Sequence, residues 1–245
     1  TVARSSKDKV MFITQDWGVR ITTSSEKRVL GEDGGGGWFN CDLMDYWMER
    51  LMHRSETENK GKVVFFSTHL VTQLRDAGDN DDDFWRVVTS YKRKWLRSGV
   101  LSRSTYLAIP VNRDNYHWVC IVVHNPGMQK LKQGATGMSQ EEADRPWMLL
   151  LDSLQSIGSK EQDNAEMALV ARYLKARHAV RMGTEGSMDE RFYAEFETKD
   201  MSSAIPQQEN GKDCGVYGLM FMEMLLWFGT RSIPDHIDEY IMRLR

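Results

Sequence analysis

The chain has 245 residues, with 32 Lys and Arg against 35 Asp and Glu, for a net charge of −3. At 41% hydrophobic and 10% aromatic it can bury a sizeable core, which excludes global disorder. The near-neutral charge speaks against a dedicated nucleic-acid binder, and no apolar run approaches the roughly 18 residues that a membrane span needs.

In chain order, residues 10–14 (VMFIT) read as a short strand, and the polar stretch Ser24 to Gly37, closed by four glycines, reads as a loop. Leu43, Met44, Trp47 and Leu51 recur at helical spacing, so a helix is expected from Asn40 to Met52, capped by Asn40 or Asp42. Val63 to Phe66 is a buried strand, and Ser67 or Thr68 caps the helix after it. The acidic run Gly78 to Asp83 lacks the pattern of a calcium loop and reads as a helix start. Phe84, Val87, Val88, Tyr91 and Trp95 follow on one helical face.

Tyr106–Val111 and Tyr116–Val123 are dense in β-branched residues and read as central strands. Residues 125–146 have no apolar period and read as an insertion. Trp147 to Leu151 is a further strand, Asp163 to Val180 a helix, and Arg191 to Thr198 a strand. A polar turn then leads at Cys214 into an apolar helix reaching Phe228, and a last helix spans Asp235 to Leu244. With neither repeat nor linker, residues 1–245 read as one α+β domain: a central mixed sheet flanked by helices. The chain opens on Thr1 rather than Met, so it is expected to be an excised domain.

Three cysteines, Cys41, Cys120 and Cys214, cannot all pair and form no CxxC unit. With no glycosylation sequon and no signal peptide, an intracellular, reducing compartment is expected. No HExxH pair suggests a zinc hydrolase. Cys214 follows a polar turn and opens a buried helix, whose positive end favours the thiolate. Gly211 and Gly215 beside it are expected to let backbone and substrate come close. Among six histidines, His117 is the best partner, at a strand start before Trp118. Asp152, ending the next strand, can orient an imidazole and stabilise its charged form. Gln208, six residues before Cys214, can offer an amide N–H to an oxyanion beside the backbone N–H of Cys214. Each position alone also has a plain structural reading, but the combination is that of a Cys–His–Asp nucleophilic system. Cys120 reads as core.

The string IPQQENGKDCGVYGLMF at 205–221 resembles the catalytic-cysteine block of the SUMO-specific (sentrin-specific) cysteine proteases, the ubiquitin-like-protein-specific proteases. YLAIPVNRDNYHWVCIVV at 106–123, WMLLLDSL at 147–154 and GWFNCDLMDYWMERL at 37–51 resemble its other blocks, in the family's order, across residues 37–228. FFSTHL at 65–70 and YKRKW at 91–95 fit more weakly. The resemblance implies a papain-like core with Cys214 as nucleophile, His117 as general base, Asp152 as orienting acid and Gln208 as oxyanion donor. It implies that Trp38 and Trp118 wall a slot for the modifier's Gly-Gly tail, which only a chain without side chains can thread. It implies a monomer acting on a ubiquitin-like modifier, SUMO above all, in the nucleus or cytoplasm, with no metal, cofactor, nucleic acid or membrane. One departure is Cys41, where the family has an Asp near the modifier surface; another is the long His117–Asp152 spacing that the insertion produces. Other readings are a protease for a NEDD-type modifier or ubiquitin, a non-catalytic module binding such a modifier, and an acetyltransferase. The filled triad disfavours the module, and the Trp pair and Gln-Gln block weigh against the transferase.

Overall fold

Side chains alternate across a strand, so a strand apolar at every position must be covered on both faces. Tyr106–Val111 and Trp118–Val123 meet this condition, and every residue of the strands that contain them, β4 (Tyr106–Arg113) and β5 (His117–His124), is buried. The computed structural model describes residues 8–30, 32, 38–58, 63–90, 104–126, 146–154, 158–182 and 196–228. It places these strands at the centre of a five-stranded sheet with β3 (Val63–Phe65), β6 (Trp147–Leu151) and β7 (Glu197–Asp200), in the order β3-β4-β5-β6-β7. The outer pairs β3–β4 and β6–β7 are parallel and the inner pairs antiparallel, so the sheet is mixed as expected.

Helices cover both faces. Ala108, Cys120, Val122, Leu149 and Leu151 face a core filled by Met44, Met48 and Met52 of α2 (Cys41–Glu58) and by Phe221, Met222 and Leu225 of α6 (Cys214–Phe228). The alternate residues Leu107, Ile109, Ile121, Val123, Met148 and Leu150 face α3 (His69–Ala77), α4 (Asp81–Ser90) and α5 (Lys160–Met182). Cys120 lies in the first core, fully buried, where desolvation pushes its thiol up to about 12.

The expected helix starts are largely where the caps put them. Asn40 Oδ1 accepts the N–H of Leu43 at 2.9 Å, and Asn80 Oδ1 that of Asp83 at 3.1 Å, so the acidic run does begin a helix. At α3 the hydroxyl of Ser67, rather than that of Thr68, accepts the N–H of His69 at 3.3 Å.

Four expectations need correction. The stretch read as a loop from Ser24 contains a helix, α1 (Thr23–Leu30), preceded by a hairpin of β1 (Val10–Ile13) and β2 (Arg20–Thr22). Asp8, distant in sequence, accepts the N–H of Ser24 and the hydroxyl of Thr23, each at 2.8 Å, and so caps a helix with little apolar pattern of its own. Tyr116 belongs to a turn rather than to β5, because Asp114 and Asn115 take positive φ angles of 52° and 61° and close a hairpin. β7 covers Glu197–Asp200 with every side chain exposed, and the buried Phe196 precedes it. Gly211 has open space where a Cβ would sit, so no backbone among the described residues approaches it closely. Tyr91, Trp95, the Asp235–Leu244 helix and residues 127–145 of the expected insertion lie outside the described residues.

Candidate active site

β5 begins at His117, and β6 ends one residue before Asp152. The strands run antiparallel with Cys120 opposite Leu151, which brings imidazole and carboxylate to one end of the sheet. His117 Nε2 lies 2.7 Å from Asp152 Oδ1, and the N–H of Leu154 donates to the same oxygen at 2.8 Å. The backbone of Asp152 is tied as well: its N–H donates to Ser202 Oγ at 3.1 Å, and its carbonyl accepts from Gln207 Nε2 at 3.1 Å. The carboxylate therefore cannot swing without breaking several bonds.

His117 is 1% exposed, and among the described residues its buried Nδ1 has no hydrogen bond of ordinary geometry, leaving it to the Cys214 sulfur. Burial by itself would lower the pKa of this ring. The hydrogen bond to Asp152 and the adjacent Cys214 sulfur more than offset that, and raise it from 6.5 to about 9. At neutral pH the ring is thus an imidazolium, with a carboxylate on one side and the cysteine on the other.

Cys214 arrives from across the sheet. Asn210 Oδ1 accepts the N–H groups of Lys212 and Asp213 at 2.9 and 3.1 Å, and its amide donates to the Asp213 carboxylate at 2.6 Å. This Asx turn reverses the chain. The carbonyl of Asp213 then accepts from Tyr217 N–H at 3.0 Å and starts α6. Cys214 is the first helical residue, so its N–H has no partner inside the helix and points out of the positive end. Gln208 is buried beside this turn. Its N–H donates to the Ser153 carbonyl at 2.9 Å, and its Oε1 accepts the Ser153 hydroxyl at 2.7 Å. Its Nε2 donates to Asn210 O, which leaves the second N–H of the amide for another acceptor.

Trp118 is 3% exposed, and its indole N–H donates to the Phe39 carbonyl at 2.8 Å. A Cβ on Gly215 would fall 2.6 Å from Phe39 Cβ and 3.4 Å from Trp118 Cδ1. The glycine thus allows residues 38–40 to lie against the start of α6. Trp38 is half-buried and meets the exposed ring of Tyr116 edge to face, with centroids 6.2 Å apart. The structure therefore brings His117 and Asp152 into contact, with Cys214 and Gln208 beside them. Trp118 is buried and bonded to Phe39, while Trp38 is half-buried against Tyr116. Cys41 is half-buried; Asn112 Nδ2 donates to its sulfur at 3.6 Å, and burial pushes the thiol up.

Sequence reasoning missed Ser153, Phe39, Tyr116 and Arg113. The first three stand next to residues already singled out, so adjacency was an available signal. Arg113 carried none, since its partners Asp152, Asp163 and Glu166 lie 39, 50 and 53 residues away. Among the described residues, Asp16, Glu49 and His53 bring three potential metal ligands within 4.8 Å of one another. Glu49 there already accepts the N–H groups of Asp16 and Trp17, each at 3.1 Å, and the hydroxyl of Thr14, so it clamps the β1–β2 turn to α2. No helix among the described residues is long and apolar enough to cross a membrane.

A family model described as the Ulp1 protease family, C-terminal catalytic domain, matches residues 37–240. Among curated proteins, the probable ubiquitin-like-specific protease 2B of Arabidopsis thaliana is 27% identical over 195 residues, 76% of this chain and 19% of that protein. The ubiquitin-like-specific protease 2 of Schizosaccharomyces pombe is 22% identical over 230 residues, 85% of this chain and 34% of its own length. This chain thus spans between a fifth and about a third of these relatives. Among solved structures, a de-sumoylating protease matches with a TM-score of 0.61 at 19% identity, covering 97% of this chain and 85% of its own. The C-terminal Ulp1 protease domain in complex with Smt3, the yeast ortholog of SUMO, matches with a TM-score of 0.54 at 17% identity, covering 93% and 78%. These structural matches support the α+β architecture.

Proposed function

The chain belongs to the Ulp1 protease family, and from that premise we propose that it is a thiol protease and isopeptidase cleaving after the C-terminal Gly-Gly of a SUMO-like modifier. The observation that carries the proposal is the His117–Asp152 pair at 2.7 Å, set beside a cysteine that opens a helix. A relative solved with the yeast ortholog of SUMO directs the proposal to that modifier. The three cysteines are free thiols, which suits a reducing nuclear or cytoplasmic setting.

In this reading the Cys214 thiolate attacks the carbonyl carbon of the terminal glycine. The oxyanion accepts from the N–H of Cys214 and from the free N–H of the Gln208 amide, both fixed before the charge develops. The His117 imidazolium gives its proton to the departing amine, and the C–N bond breaks to leave a thioester. Neutral His117 next takes a proton from water, whose oxygen attacks the thioester carbonyl. The modifier leaves as its carboxylic acid and the thiolate–imidazolium pair is restored. Asp152 holds the ring in the required tautomer throughout. Trp118 and Trp38 guide the Gly-Gly tail, while Gly215 lets Phe39 and Trp118 pack against the start of α6.

The test is a panel of SUMO, NEDD-type modifier and ubiquitin carrying electrophilic C-termini. SUMO is expected to form an adduct with the parent protein and none with Cys214→Ala, which should still bind the modifier. Adducts with ubiquitin or the NEDD-type modifier alone would overturn the choice of substrate. Cleavage that persists in Cys214→Ala would overturn the mechanism.

A further inference from the structure

The outer oxygen of Asp152 leads to a second layer of charge. Arg113 ends β4 directly opposite His117 in the β4–β5 register, and its side chain is 4% exposed. Its Nη1 reaches Asp152 Oδ2 at 3.4 Å. Its Nη2 binds Asp163 Oδ1 at 2.5 Å and Glu166 Oε2 at 2.6 Å, and its Nε donates to Glu166 at 3.1 Å. Asp163 and Glu166 stand three residues apart near the start of α5. Arg75 of α3 closes the group with a 3.1 Å bond to Glu166.

Two features separate this arrangement from an ordinary buried ion pair. Asp163 and Glu166 alone already outweigh the charge of Arg113, so its neutralisation does not require Asp152. Counting the whole group, Arg113 and Arg75 face three carboxylates, and the remaining positive charge comes from His117 when it is protonated. Gly158 leaves the guanidinium its place: a Cβ there would lie 2.7 Å from Arg113 Nη1 and 3.9 Å from Asp152 Oδ2.

We propose that Arg113 is a positioning residue for the triad, tying the outer oxygen of Asp152 to the start of α5 so that the inner oxygen stays on His117. It touches neither substrate nor the reacting atoms. The proposal rests on the thiol-protease reading given above. The fork geometry of a guanidinium is what allows one side chain to hold carboxylates on two different elements at once.

Gly158→Ala is the informative variant. The added methyl group meets the end of a flexible side chain, so the fold can adjust while Nη1 is driven off Asp152 and Arg113 keeps its charge and its α5 partners. Arg113→Lys keeps the charge and removes the fork. For both, kcat on the modifier substrate should fall roughly 10- to 100-fold with KM little changed, as expected for a small misplacement of reacting groups. The His117 ring signals in NMR supply a readout that needs no substrate. The charged groups facing that ring are Asp152 from the end of β6, Cys214 from α6 and, behind Asp152, Arg113 from β4. If Arg113 positions the acid, both variants lower the midpoint of the His117 titration, because the imidazolium loses its aligned carboxylate. If Arg113 acts only through its charge, moving it away in Gly158→Ala raises that midpoint or leaves it in place. A folded Gly158→Ala protein with parental kcat and an unchanged or raised midpoint overturns the proposal, whether or not Arg113→Lys folds. Should the parent protein cleave no modifier at all, the protease reading falls while the His117 titration still decides the clamp.

Discussion

Replacing Asp152 by Asn leaves the shape of the site and removes the charge that His117 faces at 2.7 Å. His117 titrates at about 9 instead of 6.5, and that gap is worth about 3 kcal/mol in favour of the imidazolium. Burial works against the gap, while Asp152 and the Cys214 sulfur create it. A charge-assisted hydrogen bond is about twice as strong as a neutral one. The Asn amide should therefore keep less than half of the Asp152 contribution, and the His117 midpoint should drop by roughly one pH unit or more. An Asn can also present its N–H₂ group to the ring, which would select the wrong tautomer, so kcat should fall by roughly 10³- to 10⁴-fold. The assay is kcat/KM on a modifier with a C-terminal fluorophore across pH 5 to 10, with the His117 ring signals followed by NMR. In the parent protein the alkaline limb should lie near 9.

Stability gives a second check on the same perturbation. A folded-state pKa above the unfolded value stabilises the protein fully below about 6.5, and that contribution is lost as pH rises through about 9. The parent Tm should decline across this window, and Asp152→Asn should flatten the decline. An alkaline limb that stays near 9 in Asp152→Asn, with a rate within a few-fold of the parent, would refute the assignment of Asp152 as the group that holds and charges His117.

Three further outcomes follow from the site. Gly215→Ala sets a Cβ against Phe39 and should cost roughly 1–3 kcal/mol in denaturant unfolding, whereas Gly211→Ala, in open space, should stay within about 0.5 kcal/mol. Trp118→Phe keeps a buried ring and loses the N–H bond to Phe39. It should cost about 1 kcal/mol of stability and raise KM for Gly-Gly-tailed substrates; Trp118→Ala would instead remove roughly 3–5 kcal/mol of packing and confuse the two effects. Gln208→Ala removes an amide donor and should lower kcat by roughly 10²- to 10³-fold at constant KM, read in steady-state kinetics.

Legibility from sequence followed the range of the interactions. β5 and β6 could be read because unbroken apolar runs demand burial on both faces. Asn40 could be read as a cap because a cap acts within one turn. α1 escaped because its residues are polar and its cap, Asp8, reaches it from 16 residues upstream. Tyr116 looked like strand because it is aromatic, and the positive φ angles before it are decided by the hairpin. His117, Asp152 and Cys214 stood out as candidates because each lies at or next to the end of an element, and Gln208 because it lies in the turn that leads to Cys214. Arg113 sat unnoticed inside a quoted block, since nothing local distinguishes a buried arginine from a solvated one until α5 is folded against β4.

Strand pairing has a consequence for how this molecule would lose activity. His117 and Asp152 are joined through the ladder of adjacent strands, whereas Cys214 depends on how α6 seats against the sheet face. Base and acid thus share one rigid body, and the sulfur rides on another. Any loosening of that seat, by heat or mild denaturant, separates sulfur from imidazole while the imidazole–carboxylate pair persists. Turnover would then vanish while most of the sheet is still intact, making the enzyme's own rate a gauge of helix-to-sheet docking.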